Sequence, residues 1–451
     1  MSGPVDVAIV GAGPAGLFAA RELARHGKSV IVFEKGPDLE ERLASPSSRA
    51  SGFGGAGAYS DGKLTLSRAY GGWLGEYLPG PDLDRLIGEV DAAFCELGAP
   101  DEVYGLDESF ALDLARRASL ADLTYHPAPI RHVGTERLPR LLSNLRDQLA
   151  GVELRTGVCV EALEVKDGRI RGVVVGGELV QARCVIAAPG RDGANWLDSE
   201  ARRLGLTVER NLVDVGVRLE CPAVILEPLT KPLYEAKLVF SSRTFQDSVR
   251  TFCVCPYGEV AVETYEDVIT VNGHSYAERR TANTNFALLV TTRFTEPFHE
   301  PIAYGRHLAR LANMISGGIL VQRLGDLKDG KRSTPERMAR GTVVPSLACA
   351  TPGDLAFALP HRYLVDILEM ITALDRLAPG LDSRNTLLYG IEVKFYSARL
   401  RLDSGLQTEV EGLYGAGDGA GVSRGLVQAA ASGILAARAV LRAQDPSDAL
   451  H

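Results

Sequence analysis

Residues 5–16 read Val-Asp-Val-Ala-Ile-Val-Gly-Ala-Gly-Pro-Ala-Gly, VDVAIVGAGPAG, and the fold turns on this stretch. Val5 to Val10 is an apolar strand running directly into Gly11-Ala12-Gly13-Pro14-Ala15-Gly16, and Leu17 to His26 then has helical apolar spacing. Strand, tight turn and helix come in the order a dinucleotide-binding unit requires. Gly11 permits the turn, Gly13 lets backbone approach a pyrophosphate, and Gly16 lets the helix pack on the strand, with Pro14 and Ala15 in the same contact set. Backbone N–H groups at the helix N-terminus, helped by the helix dipole, then face the phosphates.

A second strand, Ser29 to Phe33, ends in Glu34, where an acid accepts hydrogen bonds from a ribose 2′-hydroxyl. A carboxylate there disfavours a 2′-phosphate, so the nucleotide is FAD or NAD rather than NADP. Gly52, Gly54 and Gly57 of the stretch SGFGGAGAYSDGKL, residues 51–64, show the same glycine spacing. They lack the strand before and the helix after, so they are not a second fingerprint.

At 451 residues, 45% hydrophobic and 24% charged, the chain has the composition of a globular protein of two domains. A formal net charge of −8 without basic runs argues against a nucleic-acid or membrane partner. No signal peptide precedes the first strand and no apolar run reaches bilayer length, so a cytoplasmic location is expected. Seven cysteines without a C-x-x-C suggest neither a disulfide framework nor a zinc site, and no metal is expected. Cys253 and Cys255 would share one face of a strand, as a redox pair or as two small buried residues.

The segment after Glu34 leaves strand–helix alternation for helical stretches near Pro81 to Leu97 and Ser109 to Arg117. A helix from Gly134 to Ala150 precedes a meander of Val152 to Leu154, Val158 to Lys166 and Arg169 to Val175, with a hairpin turn at Asp167-Gly168. From about Asn211 the strands alternate in antiparallel fashion. The expected fold class is α/β: a Rossmann-like FAD-binding domain, a parallel sheet plus three-stranded meander, with an inserted α+β substrate domain on a largely antiparallel sheet. The expected boundaries are 1–204 for the nucleotide domain with a helical insertion at about 75–130, 205–385 for the substrate domain, and 386–451 for the return to the nucleotide domain. Without a second strand–glycine–helix unit, a built-in NAD(P)H domain is not expected.

GAGPAG with Glu34, SGFGGAG, CVIAAPG and LYGAGDGAGVSRGLVQAAASG lie far apart in the chain. Together they resemble the glutathione-reductase-like FAD flavoproteins, and more narrowly the bacterial FAD-dependent dehydrogenase family of unassigned substrate. Two places depart from that family's pattern: Tyr257-Gly258, where two glycines are expected, and Ser423-Arg424-Gly425, where small residues are. No histidine or cysteine sits next to the first glycine motif, so noncovalent FAD is expected; the resemblance implies that its ring lies against Gly54, Gly55, Ala56 and Gly57, residues without bulky side chains. It implies Arg49 on a phosphate, Lys35, Val158, Gly190 and Gly417 among the cofactor contacts, and Asp418 on ribityl hydroxyls. Gly425, Leu426 and Val427 would present helix N–H groups to the flavin pyrimidine edge. Lys63 could approach the flavin too; the other reading is a solvated lysine.

The flavin carries the redox chemistry, so catalytic side chains are few. In Gly390-Ile391-Glu392-Val393-Lys394-Phe395-Tyr396, alternation puts Glu392, Lys394 and Tyr396 on one face. As a pocket lining, Lys394 would anchor an anion and Glu392 or Tyr396 would move a proton; a solvent-facing strand edge shows the same pattern. His274 and Tyr276 share a face and are weaker candidates. The expected activity is FAD-dependent oxidation of a small metabolite by hydride transfer to flavin N5, as a dehydrogenase or oxidase. The alternatives are a monooxygenase with transiently bound NAD(P)H and an electron-transfer flavoprotein subunit.

Overall fold

The computed structural model describes residues 3–44, 51–209, 212–265, 268–292, 294, 300–395, 397 and 399–444. The chain divides into two compact units, Met1–Asp101 with Glu136–Asn211 and Tyr396–His451, and Glu102–Thr135 with Leu212–Phe395.

The first unit is built on parallel strands in the order Glu153–Thr156, Val30–Glu34, Val5–Val10, Glu178–Ala187, with Leu413–Gly415 beside the last. Val7, Ala8, Ile9 and Val10 are all buried, the unbroken apolar run of a strand covered on both faces. Glu178–Ala187 has two parts: its start pairs antiparallel with Arg169–Val175, and its end pairs parallel with the first strand. The meander is therefore Ala162–Lys166, Arg169–Val175 and Glu178–Ala187. Val152 to Leu154, expected as its first strand, belongs to the parallel sheet instead, because Leu154 finds its partner in Val32. Asp167 and Gly168, at φ +54° and +73°, make the tight turn.

The helix Pro14–Arg25 lies so close to the closing helix Leu426–Gln444 that a Cβ on Gly433 would sit 2.0 Å from the Ala15 carbonyl oxygen. By length and composition that closing helix is apolar enough to cross a bilayer, contrary to the sequence expectation. Its hydropathy is accounted for by the core, since 67% of the apolar window is buried in the protein.

The second unit carries an eight-stranded sheet in the order Thr351–Pro352, Leu320–Arg323, Leu387–Lys394, Val213–Pro222, Asn283–Thr292, Ser248–Cys255, Lys237–Ser241, Leu123–His126. Hydrogen-bonded pairing decides what belongs here. Leu123–His126 forms an edge, so 102–135 joins this unit although 75–130 was expected as an insertion in the other. Leu387–Lys394 runs between Val213–Pro222 and Leu320–Arg323, which brings 386–395 into it as well. Val213, Val215, Val217 and Leu219 face a core shared with helices Ala223–Leu233, Pro301–Ser316 and His361–Asp375. By the period of two, Asp214, Arg218 and Glu220 point to the opposite face.

Candidate functional site: a nucleotide cradle and a buried polar sheet face

The three fingerprint glycines divide their work. A Cβ on Gly11, at φ +103°, would lie 2.2 Å from the Ala188 oxygen, and one on Gly16 would lie 2.0 Å from the Gly11 oxygen. Both are required by packing. Gly13 differs: the nearest atom to its Cβ position is Gly55 Cα at 4.0 Å. No side chain caps this helix. The N–H groups of Gly13, Ala15 and Gly16 have no protein acceptor among the described residues. Open space above Gly13, orphaned amides and a helix N-terminus together fit a pyrophosphate.

Glu34 is buried and accepts from the amides of Ala12, Gly36 and Gly52, each at 2.9 Å. A carboxylate offers about four acceptor positions, so one remains for a ribose hydroxyl. Glu34 thus also ties the first turn to the glycine-rich stretch. Val158, half-buried, donates its N–H to the Glu34 carbonyl at 2.9 Å. Lys35 forms an ion pair with Asp192 at 2.5 Å. Burial opposes the ionisation of Asp192, but Lys35 and Ser51 hold its carboxyl below the usual value.

Gly54 donates to the Ala12 carbonyl at 2.8 Å, and a Cβ on Gly55 would lie 3.0 Å from Gly13 Cα. A Cβ on Gly57 would lie 2.7 Å from Leu426 Cδ2 and 3.1 Å from Pro14 Cγ. Gly13, Pro14, Gly55, Gly57 and Leu426, drawn from three distant motifs, therefore meet. Gly54 itself packs on Leu142, and Ala56 is exposed. Arg49 lies outside the described residues. Sequence reasoning missed Arg42, which is buried and donates to the carbonyls of Phe53 at 2.6 Å and Gly52 at 3.3 Å. Lys63 is also buried, 2.9 Å from Asp61, and not solvated.

The start of the closing helix is laced to residues 70–73. Gly71 accepts from the amides of Arg424 and Gly425 at 2.7 and 3.1 Å, Gln428 donates to Tyr70 at 2.6 Å, and the Arg424 guanidinium stacks on Trp73 at 3.8 Å. Gly425 therefore spends its N–H on Gly71. Those of Leu426 and Val427, in the first turn, have no protein acceptor among the described residues. Asp418 accepts from Ser423 at 2.7 Å and Arg191 at 3.1 Å while staying part-exposed. Gly417 and Gly190 both take positive φ, and a Cβ on Gly419 would strike the Gly190 oxygen.

In the second unit, the strand expected to line a pocket or a solvent edge is buried along its whole length. Glu392 receives Arg218 side-on, at 2.8 and 3.0 Å, and Lys394 at 3.2 Å; Lys394 also reaches Glu263 at 3.4 Å. Burial opposes the Lys394 charge, yet Glu263 and Glu392 raise its pKa well above the ordinary lysine range. A close pair of Arg250 with Asp214 lies on the same sheet, and Lys237, at the start of its strand, pairs closely with Glu235 just before it. The Phe252 ring has Arg250 at 4.8 Å and Lys237 and Lys394 each at 5.8 Å. Tyr396 lies outside the described residues. His274 stands opposite Glu259 in a hairpin, and Tyr276 donates to Glu259 at 3.4 Å.

The cradle and its parallel sheet define a dinucleotide-binding protein. The family described as FAD dependent oxidoreductase matches residues 6–281, more than half of the chain, and the chain belongs to it. FAD-dependent protein, C-terminal domain-like, matches 215–395, and glucose inhibited division protein A matches 353–447. An uncharacterized protein of Clostridium beijerinckii is 30% identical over 97% of this chain and 81% of its own length. Protein FixC of Salmonella typhimurium is 31% identical over 49% of this chain and 45% of its own. Glycine oxidase from Geobacillus kaustophilus matches at 15% identity and a TM-score of 0.42, covering 98% of this chain and 95% of that one. L-proline dehydrogenase from P. horikoshii matches at 12% identity with the same score and coverage. The chain is an FAD-dependent oxidoreductase.

Proposed function

We propose that this oxidoreductase oxidises a small polar metabolite as a dehydrogenase or oxidase within the glutathione-reductase-like class, in the cytoplasm. The observation that carries the reading is the cradle: three orphaned amides at Gly13, Ala15 and Gly16 beside an acid, Glu34, with one acceptor position left. Gly13, Ala15 and Gly16 would hold the pyrophosphate of FAD, Glu34 the adenosine ribose, Asp418 the ribityl chain, and Leu426 and Val427 the pyrimidine edge. FAD, when bound, supplies acceptance of a hydride at N5.

The protein's share is binding and electrostatics. Amides of the last helix favour negative charge at its N-terminus. On the polar sheet face, Lys394 is held charged by Glu263 and Glu392 and is our candidate anchor for an anionic group of the substrate. Glu392, fixed by Arg218 and Lys394, keeps that cation in place. Tyr396 stays the candidate for moving a proton.

Anaerobic titration of the purified holoprotein against a metabolite extract tests the reading. Bleaching of the flavin by a metabolite alone supports it. Bleaching that requires NAD(P)H would replace it with the monooxygenase alternative, and a flavin inert to every small molecule would replace it with an electron-transfer subunit. Lys394→Ala with normal flavin loading and normal turnover would remove the anchor assignment.

A further inference from the structure

We propose that Cys253 and Cys255 form a redox-active dithiol, which closes to an intrachain disulfide when a hydroperoxide reaches Cys253. Their sulfurs are 3.8 Å apart. Side chains two residues apart on a regular strand stand roughly 6–7 Å apart at their bases, so the contact needs a local cause. That cause is a bulge: Phe252 pairs with Ala287 and Cys255 with Asn285, which leaves one extra residue on the cysteine strand. Cys253 takes φ +48°, a left-handed conformation that an unbranched side chain adopts only at a cost. Such strain marks a position held by its surroundings.

Those surroundings are specific. A Cβ on Gly258 would lie 2.8 Å from Cys255 Cβ, so glycine there leaves room for the pair. The fully buried Arg218, paired with Glu392, donates to the Cys253 carbonyl at 3.2 Å and to Asn285 at 2.7 Å, and its charge interacts electrostatically with both cysteines. A neighbouring guanidinium favours the thiolate, the reactive form. Cys253 is half-buried and Cys255 fully buried, which assigns attack to the first and resolution to the second.

The Cys253 thiolate attacks the terminal oxygen of the hydroperoxide. The O–O bond breaks, an alcohol leaves, and Cys253 becomes a sulfenic acid. The Cys255 thiolate then attacks that sulfur; the S–S bond forms, the S–O bond breaks, and hydroxide leaves as water. Two thiols and one hydroperoxide give one disulfide, one alcohol and one water. Closure asks the sulfurs to move together by roughly 1.8 Å, to a bond of about 2.05 Å. An external thiol returns the pair to the dithiol by exchange.

The test uses the intact holoprotein and one equivalent of hydrogen peroxide, followed by iodoacetamide and peptide mass spectrometry. The expected result is loss of alkylation at two of the seven cysteines, Cys253 and Cys255, whose shared peptide is lighter by two hydrogens. Dithiothreitol restores both, while the exposed Cys159 and Cys349 stay alkylated throughout. In Cys255→Ser the step stops at the sulfenic acid, trapped on Cys253 by dimedone. Persistent alkylation of Cys253 and Cys255 under peroxide that oxidises Cys159 or Cys349 overturns the proposal. Peptide mapping of the unsubstituted protein decides the matter even where the serine variant does not fold, and neither readout depends on flavin turnover.

Discussion

Arg218 and Glu392, on neighbouring strands of the second unit, meet side-on at 2.8 and 3.0 Å with neither side chain exposed to solvent. Burial works against the arginine's charge, yet Glu392 and the two nearby cysteines raise its pKa above the ordinary value. A desolvated pair of this kind gives little net stability, but removing one partner strands a buried charge. Arg218→Met should therefore destabilise the protein by about 3–5 kcal/mol, whereas Arg218→Met with Glu392→Leu should recover most of that loss. Urea unfolding of the two single variants and the double measures the coupling; purely additive losses would mean that the two side chains do not act as a pair.

Gly13 and Gly16 should part company on substitution. Gly13 has an ordinary negative φ and open space where a Cβ would go, so Gly13→Ala should leave stability within about 0.5 kcal/mol. The added methyl group would stand where the phosphates approach, and flavin affinity should fall at least about tenfold, roughly 1.4 kcal/mol. Gly16→Ala puts its methyl group 2.0 Å from a backbone oxygen and should cost about 1–3 kcal/mol of stability even without cofactor. Visible flavin absorbance and thermal unfolding of the apoproteins separate the two effects. Equal loss of stability in both variants would deny Gly13 its place in the cradle.

The first unit was legible because its signals are local and ordered: apolar strand, glycine turn, helix, acid. The meeting of Gly57 with Leu426 was legible only through motif resemblance, since nothing local joins residues 369 positions apart. Two kinds of feature escaped. Leu123–His126 and Leu387–Lys394 take their unit from long-range hydrogen bonds that period-two alternation does not specify. Helix Ala223–Leu233 escaped because Pro228 and Pro232 lie inside it, where proline removes a donor and usually ends a helix. The alternation of Glu392 and Lys394 was visible, but a buried ion cluster and a wet edge write the same pattern. Only the neighbours, Arg218 and Glu263, tell them apart.

Tyr257 stands where the resembling family has glycine, and its φ of +53° gives the physical reason. It is held there by its N–H to Thr284 at 3.2 Å, its hydroxyl to Glu227 at 2.9 Å, and Arg280 over the ring at 4.9 Å. Burial and the Glu227 carboxylate raise the phenol's pKa. Alanine loses the side-chain contacts and keeps the strained backbone; glycine loses the same contacts and sheds the strain. Tyr257→Gly should therefore be more stable than Tyr257→Ala by about 1 kcal/mol. Denaturant midpoints compare them directly, and an alanine variant as stable as the glycine one would show that the left-handed backbone is not retained.

Asp366, fully buried on helix His361–Asp375, gives the protein a pH-dependent liability. Burial pushes its carboxyl up to about 6, with Ser242 pulling down and Asp247 pushing up. Asp247 itself is held by Arg362 at 2.8 Å. In the unfolded chain an aspartate titrates near about 3.9. Between those two values the folded protein keeps a proton that the unfolded chain has lost, so this group's contribution falls as pH rises across the window and stays low above it. Asp366→Asn removes the titration. Relative to the parent, the variant should gain about 1–3 kcal/mol at neutral and higher pH, an advantage that shrinks through the window and is gone below about pH 4. Urea unfolding of both proteins across that range measures the difference. A constant gain at every pH would assign the effect to packing around residue 366 instead of to its proton.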